Sequence, residues 1–391
     1  MKTTVALLFG GKSVEHEVSV ISGIQAYKHM DTDKYDVIPV YITKNNDMYI
    51  GEGVGDIASY KDIPALLKKS RRVVMLCDEG NVYLAPYPMK NARKNIPIDV
   101  AFPVVHGTNV EDGALQGYLK TVGIPFVGCD VTASAVGMDK YVQKQVLKDN
   151  NVPVLDAKLY NTGDYADIDG LVADIEKRFG YPVIVKPVNL GSSVGIGIAH
   201  DKIKLVAAID DAFRYSSKIL VEHAISKLRE INCSVVGDDV NAEASECEEP
   251  FHSSEMLDFH DKYERGGKGS KGSGMANLAR KIPADITDEQ RSEIRSLAVR
   301  AFKALGCNGV ARIDFMIDEE NGKLYFNEIN TIPGSLSFYL WEPLGVPYKE
   351  LLDRVITLAL KRKRENDNLV FTFDTNILSN AGLSGSKGSK R

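Results

Sequence analysis

A group of polar side chains near the carboxyl end of the sequence has the composition of a magnesium site. Asp314, Glu328 and Asn330 supply two carboxylates and one amide oxygen, which are the hard ligands that Mg²⁺ prefers when it is shared with phosphates. Arg312 would hold a further phosphate through parallel hydrogen bonds. Burying such groups without a cation is expensive. The competing interpretation is a solvated surface on which Arg312 pairs with Glu328.

A β-hairpin is the element that must bring these residues together. Two strands are predicted at residues 310–317 and 324–330, and an Asn-Gly pair in the connecting loop is typical of a hairpin turn. Because side chains alternate along a strand, the polar residues are expected to share one face. The same alternation predicts that Phe326 lies on the face of Glu328.

A glycine- and serine-rich loop could bind nucleotide phosphates. Residues 181–187 predict a short buried strand, and the loop 191–197 follows it. Glycine lets backbone N–H groups approach a phosphate closely. Lys186 lies within the apolar strand and would need an anionic partner there. A flexible turn is the alternative that the glycines alone leave open.

Two further groups follow predicted strands of an α/β unit. Residues 3–9 form an apolar run that ends in a Gly-Gly-Lys-Ser sequence, but a P-loop requires glycine where Ala6 stands. Glu15, near the start of the next helix, could bind an amino group or simply stabilise the helix end. His106 follows the strand 100–105, at the edge where open α/β sheets bind ligands, although a loop histidine with ordinary partners fits equally well.

The composition restricts the class of protein. The chain has 391 residues, enough for two or three domains, and a formal net charge of −5, which gives no general attraction to nucleic acids or anionic membranes. No apolar run is long enough to span a bilayer. The five cysteines are scattered without a C-x-x-C pair, so neither disulfides nor zinc are indicated. A cytoplasmic protein without nucleic-acid or membrane partners is expected.

Several other segments have weaker patterns. A helix is predicted from about residue 135 to 150, and a capping box at Thr287 should start another. Residues 124–128 resemble the last strand of the first domain, whereas 45–95 show no clear pattern. Residues 363–391 are expected to be a flexible tail.

Taken in order, these segments resemble the D-alanine–D-alanine ligase family of the ATP-grasp superfamily. Each motif alone is weak, but their ordered combination from the first strand to about residue 360 is specific. The matching stretches are LFGGKSVEHEVSVISG, HGTNVEDGALQGYL, MDK, YPVIVKPVNLGSSVGI, LVEH, DKY, ARIDFMID and NEINTIPG.

The resemblance implies an α/β fold with three domains. An N-terminal doubly wound parallel-sheet domain would bind substrate, and two α+β domains would clamp ATP. The expected boundaries are residues 1–128, 129–222 and 223–362, before the tail 363–391. A homodimer is also implied.

The resemblance assigns residues to ATP and to metal. Two magnesium ions, with Mn²⁺ as an alternative, would be held by the hairpin residues Asp314, Glu328 and Asn330, and Arg312 would lie beside the transferred phosphoryl group. The residues expected to bind ATP, the co-substrate, are Lys140, Lys186, Gly191, Ser193, Glu222, Glu230 and Lys262.

Other residues are implied in binding two amino acids. Glu15 would hold the ammonium of the first, and Ser192 and Tyr263 would complete a hydrogen-bonded link with Glu15. The residues expected near the substrates are His106, Gly334, Ser335 and Tyr339. A covering loop would include the Gly/Lys-rich stretch 266–274.

The implied reaction joins two D-alanine molecules through an acyl phosphate, for peptidoglycan synthesis. Many relatives have serine where Tyr339 stands, so a different second substrate such as D-Ser is an alternative. The other alternative is a non-catalytic ATP-binding regulator. The joint presence of the metal and substrate residues argues against it.

Overall fold

A seven-stranded mixed sheet forms the amino-terminal part of the protein. The structure of the protein is a computed structural model, which describes residues 2–89, 92–191, 194–250 and 280–372. The strands are β1 Thr3–Gly10, β2 Tyr35–Ile42, β3 Met48–Ile50, β4 Arg71–Asp78, β5 Asn81–Pro86, β6 Ile96–Ile98 and β7 Val100–Pro103. Their spatial order is β6-β5-β4-β3-β2-β1-β7. The helices are α1 His16–His29, α2 Ile63–Lys69 and α3 Ala114–Val122.

Only the end of this sheet that carries β1 is parallel. The apolar run of β1 pairs in parallel with β2 and β7, as its continuous hydrophobicity predicts. The unpatterned residues 45–95 form the antiparallel strands β3, β4 and β5 and the short helix α2. The strand predicted at 124–128 is reduced to one bridge, between Ala101 and Phe126.

The central part contains a four-stranded sheet in the order β10-β9-β11-β8. Its strands are β8 Ala157–Asn161, β9 Val183–Pro187, β10 Gly197–Ala199 and β11 Lys218–His223, and the associated helices are α4 Val131–Met138, α5 Lys140–Asp149, α6 Ile168–Phe179 and α7 Lys202–Phe213.

The single helix predicted at 135–150 is divided in two at Asp139. The Asp139 side chain accepts hydrogen bonds from the N–H groups of Tyr141 and Val142. Aspartate is a favoured N-cap because it satisfies these otherwise unpaired donors. The cap starts α5 at Lys140, and so fixes the direction in which the lysines of its first turns point.

A five-stranded sheet, in the order β14-β13-β12-β15-β16, forms the third part. Its strands are β12 Leu228–Gly237, β13 Ala242–Pro250, β14 Arg280–Lys281, β15 Gly309–Asp318 and β16 Lys323–Asn330, and its helices are α8 Asp288–Ala304 and α9 Tyr348–Asn366. The predicted capping box is confirmed, because Thr287 and Gln290 exchange both of its hydrogen bonds at the start of α8.

The last helix, α9, connects the third part to the first. Several of its apolar side chains, such as Leu351 and Val355, are fully buried and belong to the same core as the first sheet. Arg362 donates to the carbonyls of Gly128 and Phe126, at 2.8 and 2.6 Å. The chain therefore returns to its amino-terminal part after completing the third sheet. None of the helices in the described ranges is both long and apolar enough to cross a membrane.

Helix α1 packs very closely on β1 because Gly23 has no side chain. A Cβ placed on Gly23 would lie 2.4 Å from Cβ of Phe9, far inside any normal contact. This close approach determines where the start of α1, with Glu15, lies relative to the end of β1.

We expect Gly23→Ala to lower the thermal melting temperature because α1 must move away from β1, a strain of about 1–3 kcal/mol. Gly117→Ala in α3 is the matched control. Its Cβ would meet open space, and alanine favours a helix over glycine by up to ~1 kcal/mol. Equal melting temperatures for the two variants would contradict the packing argument.

Candidate active site

The hairpin of β15 and β16 places the predicted metal ligands side by side. Asp314 pairs directly with Glu328 across the ladder, and Arg312 pairs with Asn330. All four therefore share one face of the sheet, as the alternation predicts.

The expectation for Phe326 was wrong, and a β-bulge is the reason. The register shifts between Asp314 and Phe315, so that Phe315 faces Phe326 and Asn327 is left without a partner in the ladder. One extra residue turns the following side chains to the opposite face. Phe326 consequently enters the core, with its ring centroid 6.3 Å from that of Phe315, while Glu328 faces the site.

Arg312 pairs with Asp314 and not with Glu328. The guanidinium donates from Nε and Nη2 to the two carboxylate oxygens of Asp314, at 2.6 and 2.7 Å. Asn330 Nδ2 donates to Asp314 Oδ2 at 3.1 Å. The side chains of Arg312 and Asp314 are 12% and 11% exposed, so this hairpin face is not a solvated surface.

The electrostatics of this face favour a cation. Burial raises the pKa of Asp314; Arg312 opposes this shift, and the negative charges of Glu328 and Glu230 add to it. A bound cation would reverse the effect, because it stabilises the ionised carboxylate. Glu230 of β12, which is predicted to bind ATP, pairs with Met316 of β15.

Helix α5 brings lysines to the carboxylates of two different sheets. Lys140 Nζ lies 3.0 Å from Glu328 Oε2 of β16 and donates to the Leu190 carbonyl at 2.8 Å. One turn further along, Lys144 Nζ lies 3.3 Å from Glu222 Oε2 of β11. Lys144 was missed in the sequence analysis, although its spacing from Lys140 places both on one helix face.

Lys186 approaches the same carboxylate from β9. Its Nζ lies 3.5 Å from Glu222 Oε1 and donates to Asn327 Oδ1 at 3.3 Å. The Glu222 side chain is fully buried. Burial would raise its pKa, but Lys144 and Lys186 together hold the pKa below its usual value. The predicted ATP residues Lys186 and Glu222 are thus brought together, with Lys140 nearby.

Glu15 lies where the first and central parts meet. It is 9% exposed and precedes the first residue of α1. A Cβ placed on Gly107 or Gly191 would lie 2.8 or 3.1 Å from Glu15 Oε2. The predicted loop at Gly191 and the loop after β7 therefore converge on this carboxylate.

His106 connects the first part to the segment that follows β16. Its Nδ1 donates to the Ile332 carbonyl at 2.9 Å, which leaves Nε2, 3.0 Å from Ser22 Oγ, to accept from that hydroxyl. Ser22 Oγ in turn accepts from the backbone N–H of Ser335 at 3.1 Å. Burial lowers the pKa of His106. A neutral imidazole is therefore held in one tautomer, beside the predicted substrate residues Gly334 and Ser335.

Tyr339 stands in a buried polar cluster that the sequence analysis did not find. Its hydroxyl donates to Glu248 Oε1 at 3.2 Å, and the guanidinium of Arg280 lies 4.0 Å from the ring centroid. Arg280 Nη1 lies 2.8 Å from Glu248 Oε2, and Asn232 also donates to Glu248. These residues are distant in sequence, and no local spacing connects them.

Four predicted site residues lie outside the described ranges: Ser192, Ser193, Lys262 and Tyr263. The same holds for the Gly/Lys-rich stretch 266–274 and for most of the tail.

Family models match most of the chain. The model described as "D-ala D-ala ligase N-terminus" matches residues 4–129, and "D-ala D-ala ligase C-terminus" matches residues 146–357. The chain belongs to the D-alanine–D-alanine ligase family.

Curated relatives of the family agree with this result over nearly their whole length. The chain is 41% identical to the D-alanine–D-alanine ligase of Acetivibrio thermocellus, with 94% of this chain and 98% of the relative covered. It is 38% identical to the D-alanine–D-alanine ligase of Thermosipho melanesiensis, covering 96% and 98%.

Solved structures of ligases confirm the α/β ATP-grasp fold. The D-alanine-D-alanine ligase from Coxiella burnetii has a TM-score of 0.78 at 30% identity, covering 94% of this chain and 96% of that one. The VanG D-Ala:D-Ser ligase from Enterococcus faecalis also has a TM-score of 0.78, at 31% identity, covering 92% and 100%.

Glu111 is a further residue that the sequence analysis missed, although it lies in the quoted HGTNVEDGALQGYL motif. Its carboxylate accepts from the N–H groups of Gly107 and Ile332, at 3.0 and 2.9 Å, and from the Thr331 hydroxyl at 3.3 Å. Burial raises the pKa of Glu111 to about 7 despite these donors, and the charge of Glu15 adds to the shift. Glu111 thus fastens the loop after β7 to the segment after β16.

The raised pKa of Glu111 predicts that the stability of the protein depends on pH. Between the usual pKa of 4.5 and about 7, the folded protein binds the Glu111 proton more tightly than the unfolded chain. The free energy of unfolding should therefore fall as the pH rises through this window. Relative to Glu111→Gln, which does not titrate, we expect the wild type to lose about 1–3 kcal/mol between about pH 5 and 7.5.

Urea unfolding midpoints of both proteins at the two pH values would measure this loss. All other titrating groups are common to the two proteins, so the difference isolates Glu111. A difference between wild type and variant that does not change with pH would show that Glu111 has an ordinary pKa.

Proposed function

We propose that the protein is an ATP-dependent ligase that joins two D-alanine molecules into D-alanyl-D-alanine for peptidoglycan synthesis. One observation supports this most directly. The lysines of the central part and the Arg312–Asp314 pair of the third part contact a group of carboxylates, of which Glu222 is fully buried and Glu328 is 25% exposed, with Glu15 at the junction. Family membership supplies the substrates, and the geometry supplies groups of the required charge.

The nucleotide would bind between the central and third sheets. Lys140 and Lys186 are the cations best placed for its phosphates, since both are buried and both contact the β16 strand or its bulge. Each lysine would exchange a carboxylate or amide contact for a phosphate oxygen. The backbone of the loop at Gly191 is proposed as a further phosphate contact, together with Ser193 and Lys262. Glu222 and Glu230 are proposed to lie by the adenine and ribose.

A divalent metal ion suits the donor set formed by Asp314, Glu328 and Asn330. They offer oxygen ligands on one face, and the buried carboxylate of Asp314 beside that of Glu328, which is 25% exposed, favours a cation. Two Mg²⁺ ions are proposed, with Mn²⁺ as a substitute. The bound ions would neutralise charge on the phosphate oxygens during transfer. In the ranges that the structure describes, no three His, Cys, Asp or Glu side chains form a metal cluster, and the proposed set has two carboxylates with an amide.

The amino acids would react between Glu15 and Arg312. Glu15 is proposed to hold the ammonium of the first D-alanine, and neutral His106 to lie near its carboxylate. That carboxylate attacks the γ-phosphorus of ATP, ADP leaves, and an acyl phosphate forms. The amine of the second D-alanine then attacks the carbonyl carbon, loses a proton and expels phosphate. Arg312 would stabilise the charge on the transferred phosphoryl group in both steps.

Further assignments remain proposals. Ser192 and Tyr263 are proposed to link to Glu15 by hydrogen bonds. We also propose a homodimer in the cytoplasm, with domains at residues 1–128, 129–222 and 223–362 and a flexible tail at 363–391.

A ligase with D-Ser as second substrate is the second candidate. Tyr339 replaces the serine that many relatives have there, and it is held by Glu248 and Arg280 in a buried cluster. One similar solved structure is named a D-Ala:D-Ser ligase. The Tyr339 cluster would then form the wall beside the second amino acid.

Product analysis tests the proposed reaction. Wild-type protein with ATP, Mg²⁺ and D-alanine should release phosphate and form D-alanyl-D-alanine, detected by mass spectrometry. Asp314→Asn should lower turnover by at least about a hundredfold, because it removes a ligand charge from the metal while keeping the shape.

Asp318→Asn, at the end of β15, is the matched control because the hydrogen bonds of the Asp318 side chain to described residues stay within its own turn; its activity should match the wild type. Normal turnover by Asp314→Asn would refute the metal assignment. Absence of the dipeptide with the wild type would refute the substrate assignment.

Tyr339→Phe should change the preference for the second amino acid. The variant loses a hydrogen bond to a charged partner, which contributes about 1.5–3 kcal/mol, but it keeps the ring. We expect a KM for the second amino acid raised about tenfold and an unchanged KM for ATP.

Equimolar D-alanine and D-Ser competing for wild type and variant would reveal which product each forms. Tyr165→Phe, which loses a surface hydrogen bond to Asp210, is the control. Equal product ratios and KM values for all three proteins would remove Tyr339 from the substrate site.

A further inference from the structure

Two lysines share one buried carboxylate beside the proposed nucleotide site. The Glu222 side chain is fully buried, and those of Lys144 and Lys186 are 2% and 8% exposed. With both lysines protonated the three groups carry a net positive charge; burial lowers the pKa of Lys144, and the charge of Glu222 opposes this shift. Buried charges are stable only when they are paired, and a charge that loses its partner is very costly.

The two lysines differ in what else they contact. Lys186 Nζ also donates to Asn327 Oδ1 at the bulge of β16, next to the proposed metal ligand Glu328. For Lys144, one ion pair with Glu222 at 3.3 Å is the contact that the described structure gives, and the side chain lies in the interior. Lys186 is thus the lysine directed toward the site, and Lys144 is the one behind it.

We propose that Lys144 is a positioning residue of the nucleotide site, which keeps Glu222 paired so that Lys186 can leave it for a nucleotide phosphate. This inference rests on the proposed role of the site in binding ATP. Without Lys144, Glu222 would have Lys186 as its sole cation within 4 Å among the described residues. Moving Lys186 to a phosphate would then leave a fully buried carboxylate unpaired.

The two lysines of α5 each pair with a carboxylate of a different sheet. Lys140 pairs with Glu328 of the third sheet, and Lys144 pairs with Glu222 of the central sheet. The helix thus carries one cation for each of the sheets that enclose the proposed nucleotide site. Lys144 is proposed to act through Lys186 and not to contact the nucleotide itself.

Binding of ADP to the full-length protein by isothermal titration calorimetry tests the proposal. Lys144→Met should weaken ADP binding at least about tenfold, because Lys186 stays with Glu222. In the Glu222→Gln background the same Lys144→Met change should cost much less ADP affinity, since a neutral glutamine does not compete with the phosphate for Lys186 and any contact of residue 222 with the adenine is common to both proteins. Lys144→Arg keeps the charge and should bind ADP within about threefold of the wild type.

The comparison of the two backgrounds separates this role from a merely structural one. If Lys144 only supported the fold, Lys144→Met would cost as much ADP affinity in the Glu222→Gln background as in the wild type, and the thermal melting temperature would fall in parallel. Lys148→Met, an exposed lysine one turn further along α5, is the control and should bind ADP as the wild type does.

The proposal is overturned if Lys144→Met binds ADP like the wild type, or if Lys144→Met costs as much ADP affinity in the Glu222→Gln background as in the wild type. The measurement does not depend on the amino-acid substrate. Wild-type protein that binds ADP but makes no D-alanyl-D-alanine would refute the proposed reaction alone, whereas wild-type protein that does not bind ADP would refute the nucleotide site itself.

Discussion

Charge buried between sheets is the constraint on which the rest of the structure depends. Glu222, Lys144 and Lys186 are held away from water, and each would cost several kcal/mol if it were left unpaired. Their positions must therefore be fixed to within a hydrogen-bond distance. Apolar cores on either side provide that rigidity, because close-packed interiors resist small displacements.

The separate parts of the chain are joined by polar contacts as well as by packing. Glu111 and His106, which follow β7, bind the backbone of the segment after β16. That segment contains three consecutive left-handed residues, Ser335, Leu336 and Ser337, with φ between 50° and 53°. Non-glycine residues adopt this conformation at a cost. Contacts from the first part, such as the hydroxyl of Ser22, help to hold it.

Local patterns in the sequence predicted much of the site. The hairpin, the strand that carries Lys186 and the capping box of α8 follow from residue periodicity and turn chemistry, and the structure contains each of them. The family resemblance added the fold and the order of the parts. Asp314, Glu328 and Asn330 were correctly expected on one face because they lie within one hairpin.

The features that were missed depend on contacts between distant residues or on single irregularities. Glu248, Arg280 and Tyr339 meet only in the folded chain. Burial alternates along residues 73–76 of β4, but all four residues there are apolar, so the sequence itself shows no alternation. The break at Asp139 was hidden because the residues on both sides favour helix. The bulge at Asn327 was missed because the prediction assumed that side chains alternate strictly between the two faces of β16.

That bulge has a consequence for how the gene can vary. Deleting the single residue Asn327 would remove the bulge and leave a regular ladder, with Phe326 still in the core and Glu328 and Asn330 still on the site face, but it would also remove the side chain that accepts from Lys186. Substitutions along β16 can be absorbed one side chain at a time, but a change of length at a paired position of the strand turns all residues on one side of it to the other face. Between Lys323 and Asn330, insertions and deletions should therefore be excluded at every paired position and tolerated by the ladder only at Asn327, even in lineages whose loops elsewhere differ freely in length.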